Sequence, residues 1–171
     1  MSICDFANSL AYTWIMKATT AEERLATWRD LQWATALIMR RFRVDLANQG
    51  LTIEEFDVLV HLASVGGGEL PLQELAGSMV LGDTLSRSGL TRLLDRMERS
   101  GLVRRRLNRH DRRRFDVSIT PRGRTRFEAV WPKHEVGIRR YFSDPLADMD
   151  IVNLRTALTK LIRANQDHTD T

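Results

Sequence analysis

Residues 86–126 read S-R-S-G-L-T-R-L-L-D-R-M-E-R-S-G-L-V-R-R-R-L-N-R-H-D-R-R-R-F-D-V-S-I-T-P-R-G-R-T-R, from Ser86 to Arg126. Fourteen arginines stand here against four acids, a local charge of +10 in a chain of net charge +4, so the other residues together carry −6. Charge gathered into one stretch marks a surface that meets phosphate. Leu90, Leu93, Leu94 and Met97 recur at i, i+3, i+4 and i+7, which predicts one buried stripe of a helix. Ser86 precedes the stripe as an N-cap and Gly101 follows it as a left-handed stop. On a helical wheel Ser88, Arg92, Asp95 and Arg99 lie opposite the leucines, with Thr91 and Arg96 at the margins. Leu102 to Leu107 and Phe115 to Ile119 then read as two strands, the second alternating apolar and polar residues. Asn108 to Arg114, all polar or charged, make a protruding hairpin loop. A helix of this kind followed by a basic hairpin is a winged helix-turn-helix.

Such a helix fits the major groove of DNA, where arginine can donate two bonds to guanine and serine or threonine can contact bases or phosphates. An arginine at a hairpin tip can enter the narrower minor groove. Fork-shaped donation also accounts for arginine in place of lysine throughout the stretch. Arg87, Ser88, Thr91, Arg92 and Arg96 are therefore expected to read the major groove or its phosphates, and Arg112, Arg113 and Arg114 the groove and backbone beneath the wing.

The run L-S-R-S-G-L-T-R-L-L-D-R-M-E-R-S-G-L-V-R-R, then D-R-R and I-T-P-R-G, resembles the MarR family of bacterial regulators over about residues 22–165. The resemblance implies a homodimer on a pseudo-palindromic operator in double-stranded DNA, usually a repressor, often released by a small ligand or oxidant. It also implies that Arg113 reaches the minor groove and that Asp111 holds a neighbouring arginine in place. Gly82, Asp83, Thr84 and Leu85 are extra relative to the family's usual shorter turn, and they bear on how the helix is pitched into the groove.

The 171 residues, 43% apolar, suffice for one compact subunit with its own core. A single Cys4 rules out an internal disulfide, and with neither a spanning segment nor a secretory leader the expected setting is the cytoplasm. Residues 1–19 read as an N-terminal extension. Cys4 beside Asp5 is read as inert against the alternative of an oxidant sensor. Residues 20–50 read as a long dimerisation helix opened by a Thr20–Glu23 capping box; its length calls for a partner subunit. Residues 51–120 make the DNA-binding lobe, with a second capping box at Thr52–Glu55, the turn Gly66-Gly67-Gly68 and a short strand at Glu69-Leu70. Residues 121–171 supply C-terminal dimerisation helices, and Pro132 should kink the first of them or force an irregular turn. The fold expected is thus mainly α with a small β-wing, a winged helix-turn-helix core flanked by dimerisation helices from both ends.

No catalytic constellation can be assembled, so an enzyme is not expected, and nothing calls for a cofactor or a membrane partner. His61, His110, His134 and His168 have no metal-ligand spacing. In the family the effector pocket lies between the dimerisation helices and the DNA-binding lobe. By that analogy Trp28, Trp33, Phe56, His61, Trp131 and His134 would line a pocket for a planar aromatic ligand, or else they are simply core. Two other functions stay open: a winged-helix protein-interaction module that meets an acidic partner, and an effector-sensing protein without DNA binding.

Overall fold

The computed structural model describes residues 20–79, 86–108, 111 and 114–166, with the side chain of Arg87 excepted. Cys4 and the extension 1–19, the turn at 82–85, His110, Arg112, Arg113 and His168 lie outside the described residues, as does the side chain of Arg87. The chain divides into two compact units, Met1–Met39 and Arg40–Thr171.

The helix α1 runs Ala21–Ala47. In the first unit its start is the expected capping box: Glu23 N donates to Thr20 Oγ1 at 3.1 Å and Thr20 N to the Glu23 carboxylate at 2.6 Å. Leu25, Trp28, Trp33 and Leu37 on this part of the helix are exposed.

The second unit holds the last turns of α1 and all that follows. Helix α2 (Ile53–Ser64) opens with the second capping box, on Thr52 and Glu55. The strand β1 (Glu69–Pro71) follows a turn in which Gly67 and Gly68 adopt positive φ, and α3 (Leu72–Ser78) comes next. Ser86 caps α4 (Arg87–Arg99) by accepting from Gly89 N at 3.1 Å. Gly101, at φ 72°, ends α4 and turns the chain into β2 (Val103–Leu107). β3 spans Phe115–Ile119, the residues whose alternation predicted it. The sheet is antiparallel in the order β1-β3-β2, with Leu70 opposite Val117 and Val117 opposite Arg105. The core lies under this sheet: Leu59, Leu62, Leu75, Leu94, Met97, Val103 and Val117 are almost wholly buried. Leu90 and Leu93 complete the buried stripe of α4. Burial of that stripe is what orients the helix, because apolar area withdrawn from water is the dominant favourable contribution.

Pro121 occupies the first turn of α5 (Pro121–Ile138), where its missing N–H is harmless. Of the two outcomes expected at Pro132, an irregular turn is not formed there. The helix runs on through Pro132 to Ile138, and a π-helical turn at Arg139–Ser143 follows it. Pro132 is exposed and so is Glu128 one turn earlier, so the carbonyl that loses its donor there is on a solvent-facing side. The last helix, α6 (Asp148–Gln166), exposes Met149, Val152, Leu161 and Ile162. Among the described residues no helix is long and apolar enough to cross a membrane.

Candidate nucleic-acid interface

The outer face of α4 is polar and cationic as its periodicity required. Ser88, Thr91, Arg92, Arg96 and Arg99 are exposed while Leu90, Leu93, Leu94 and Met97 are buried. Near the N-terminus the short side chains organise one another. Ser86 Oγ and Ser88 Oγ share a hydrogen bond at 3.0 Å, and Arg92 donates to the Ser88 carbonyl at 3.3 Å and to its hydroxyl at 3.4 Å. Among the described residues these long contacts to its own helix leave the Arg92 guanidinium charge without a carboxylate partner.

Arg96 differs. Its Nε donates to Glu55 Oε1 at 2.8 Å, and the same carboxylate closes the capping box of α2. Arg96 therefore ties α4 to the start of α2, although half of its side chain stays exposed. In the wing, Arg114 Nε sits 3.2 Å from Asp111 Oδ2 and Arg114 N donates to the Asp111 carbonyl. Asn108 fastens the hairpin base: its Nδ2 donates to both carboxylate oxygens of Asp116, and its Oδ1 accepts from Asp111 N. The structure thus keeps Ser88, Thr91 and Arg92 on one open face and gives Arg96 and Arg114 acidic partners.

The arginine that links wing to helix was not singled out from the sequence. Arg105 Nε and Nη2 donate to Glu98 Oε2 at 3.0 and 2.8 Å, its backbone N donates to Glu98 Oε1 at 2.9 Å, and its Nη2 is 2.5 Å from Asp95 Oδ1. These bonds hold the Glu98 carboxyl below its ordinary value, the backbone bond first and the side-chain bonds next. The signal that could have found Arg105 is its parity: it shares the inward face of β2 with buried Val103, whereas Arg104 and Arg106 point outward and are exposed.

Of the residues proposed for a ligand, three come together. Phe56, Trp131 and His134 form one cluster with Phe42 and Phe127, two rings that were not among the expected lining residues. His134 lies 4.6 Å from both Phe42 and Phe56, centroid to centroid. His61 is elsewhere, its Nε2 3.3 Å from Asp57 Oδ1 on the same helix. Trp28 and Trp33 belong to the first unit and are exposed. Among the described residues no group of His, Cys, Asp or Glu could hold a metal ion.

Burial among these rings lowers the His134 pKa, with the Asp45 carboxylate partly opposing the shift. A base whose folded pKa is depressed gives stability that is complete above its unfolded value and lost as pH falls below it. Thermal melts should therefore show stability declining from about pH 6.5 downward, and His134→Gln should flatten that decline. An unchanged slope in the variant would mean the ring is not desolvated.

The apolar-backed cationic helix, the hairpin beside it and the flanking helices define a winged helix-turn-helix transcription regulator. A sequence model of the MarR family matches residues 51–115. The chain is 30% identical to AbsC, a MarR family transcriptional regulator from Streptomyces coelicolor, covering 89% of this chain and 99% of that one with a TM-score of 0.77. Sco3205, a MarR family regulator from the same organism whose structure is in complex with DNA, is 25% identical over 89% of this chain and 90% of its own, with a TM-score of 0.73. The transcriptional repressor MdtR of Bacillus subtilis (strain 168) is 29% identical over 118 residues, 67% of this chain and 72% of that protein. The chain belongs to the MarR family of transcriptional regulators.

Proposed function

We propose that the protein is a homodimeric repressor that reads a pseudo-palindromic operator, with Ser88, Thr91 and Arg92 at the major groove. The observation that carries this reading is the face of α4 on which these three residues stand exposed, backed by four buried apolar side chains. Arg87, by its position at the start of α4, joins them. Arg96 contributes through whatever part of its charge Glu55 leaves available. By analogy with the family Arg113 reaches the minor groove and Asp111 braces the wing, while Arg112 and Arg114 join Arg113 in meeting the groove and backbone beneath it. Dimerisation is supported by two exposed apolar sets, Leu25, Trp28, Trp33 and Leu37 on α1 and Val152, Leu161 and Ile162 on α6, which single soluble subunits seldom leave uncovered. A small aromatic effector is the further expectation, with the rings around His134 as its wall. Such a ligand acts only if it binds the two dimer states with different affinity.

The test is selection of bound sequences from a random duplex pool, followed by titration of the winning site against salt. Dyad-related half-sites about one helical turn apart are expected. Affinity should fall steeply with salt, as counterions are released from several phosphates. Arg92→Ala should cost roughly 5- to 100-fold in operator affinity, the range of one good arginine–base contact. Arg113→Ala should weaken binding without dissociating the dimer. Wild-type affinity in both variants, or a monomer in sedimentation, would overturn the reading.

A further inference from the structure

Among the described residues of the span 51–120, only two large apolar side chains stay exposed: Leu107 at 54% and Phe115 at 44%. They are direct cross-strand partners, at the end of the β2–β3 ladder nearest the hairpin. Side chains alternate along a strand, so both lie on the sheet face that carries Val103, Arg105 and Val117. Val103 and Val117 are buried there, and the pair continues the core face outward into solvent. An aromatic–aliphatic pair steadies a hairpin, but that role does not call for leaving both partners half in water.

Arg105 sets the place of the pair. After the turn at Gly101, β2 returns along α4: the backbone N of Arg105 meets Glu98, and its guanidinium reaches Asp95, one turn nearer the start of the helix. Leu107 stands two residues further on, about 7 Å of strand, which matches about four or five helical residues at their shorter rise. That carries it toward the level of Thr91 and Arg92 on the open face of α4. The neighbourhood is cationic. Arg106 and Arg114, next to the pair in the chain, are exposed. The acids nearby are already engaged, Asp95 and Glu98 by Arg105, Asp111 by Arg114 and Asp116 by Asn108.

An apolar pair set among exposed arginines fits a polyanion that also has apolar facets. The backbone of duplex DNA is such a surface, because deoxyribose rings present C–H groups between the phosphates. In a winged helix-turn-helix one backbone passes between the helix in the major groove and the hairpin in the minor groove. We infer that Leu107 and Phe115 pack on the deoxyribose rings of that backbone, so that an uncharged contact positions the DNA beside the arginines. This rests on the DNA-binding reading above and adds to it two residues that carry no charge.

The experiment titrates the selected operator duplex with the full chain by fluorescence anisotropy at a series of salt concentrations. Leu107→Ala with Phe115→Ala should lower operator affinity roughly tenfold, or about 1.4 kcal/mol, less than full burial of either side chain provides because both are already half covered. The slope of log affinity against log salt should stay that of the wild type, since no phosphate contact is lost. A merely structural role would let the wing arginines drift from the backbone and make the slope shallower. Leu107→Met, which keeps the apolar bulk, should retain wild-type affinity. Leu107→Ser leaves Phe115 on the strand and carries the same test if the double variant unfolds: lower affinity at the wild-type slope supports the contact. Wild-type affinity in the alanine or serine variants overturns the inference and leaves the DNA reading intact. So does lower affinity with a shallower slope, or a changed oligomeric state in sedimentation, which would make the pair a contact between copies. A wild type that binds no duplex removes both readings.

Discussion

Gly123→Ala should be among the most damaging single substitutions in the chain, although it replaces glycine by the best helix former inside a helix. Propensity alone favours alanine by up to about 1 kcal/mol. Space decides against it. A Cβ at Gly123 would lie 2.1 Å from the Leu102 carbonyl oxygen and 2.9 Å from Ile119 Cγ1. The first of these is backbone, so no rotamer change relieves it. The same carbonyl accepts from Thr120 N at 3.1 Å, and Thr120 Oγ1 donates to the Gly101 carbonyl at 2.6 Å while accepting from Gly123 N at 3.0 Å. Thr120 therefore joins three elements at once: the end of α4, the start of β2 and the first turn of α5. Moving α5 outward to make room would break that joint. An overpacking cost of about 3 kcal/mol is expected, the upper end for such changes, which for a chain of this size lowers Tm by roughly 6–12 °C. Gly77→Ala is the control, because a Cβ there meets nothing within 4 Å and its φ is not positive. It should leave Tm unchanged or raise it slightly. Denaturation scans at one fixed protein concentration read both, and a Gly123→Ala protein as stable as the wild type would show that α5 and β2 can separate freely.

That joint also shows where sequence reading succeeds and stops. The stretch I-T-P-R-G could be matched to a family, yet the need for glycine in it arises from a carbonyl some twenty residues away in the chain. Local devices were readable because their causes are local. The leucine stripe of α4, the alternation of β3 and both capping boxes each rest on residues within one or two turns of one another. The partners of charged groups were not readable. Arg96 and Glu55 are separated by 41 residues, so composition showed a surplus of arginine without showing which arginines are already committed. The ligand candidates divide the same way. Phe56, Trp131 and His134 converge because α2 and α5 pack together, while His61 stays with Asp57 one turn behind it. At Pro132 the residue type predicts a lost bond but not whether the freed carbonyl lies on an exposed side, where the helix can run on.

Arg105→Ala should separate two roles that the arginine-rich stretch hides in its composition. The wild-type side chain makes a two-pronged contact with Glu98 and reaches Asp95, so it ties β2 of the wing to α4. Truncation leaves two carboxylates without their cation, beside the exposed cationic face of α4. The carboxylates are more than a third exposed, so solvent screening limits the stability loss to about 1–2 kcal/mol. Operator affinity should fall roughly tenfold if about 1.4 kcal/mol of that restraint is felt in the bound state. Lowered stability with wild-type operator affinity would reduce Arg105 to a purely structural residue. Acid titration supplies an independent check. A carboxylate with a depressed folded pKa contributes stability that is present above its ordinary value and disappears as pH falls through the folded one. For Glu98 that window opens at about pH 4.5 and extends downward. Glu98→Gln should remove this part of the acid sensitivity. Arg105→Ala should keep much of it, because the largest cause of the shift is the backbone N–H of residue 105, which alanine retains. The two variants should therefore differ in their pH profiles below 4.5 even though both break the same ion pair, and identical profiles would assign the shift to the guanidinium instead.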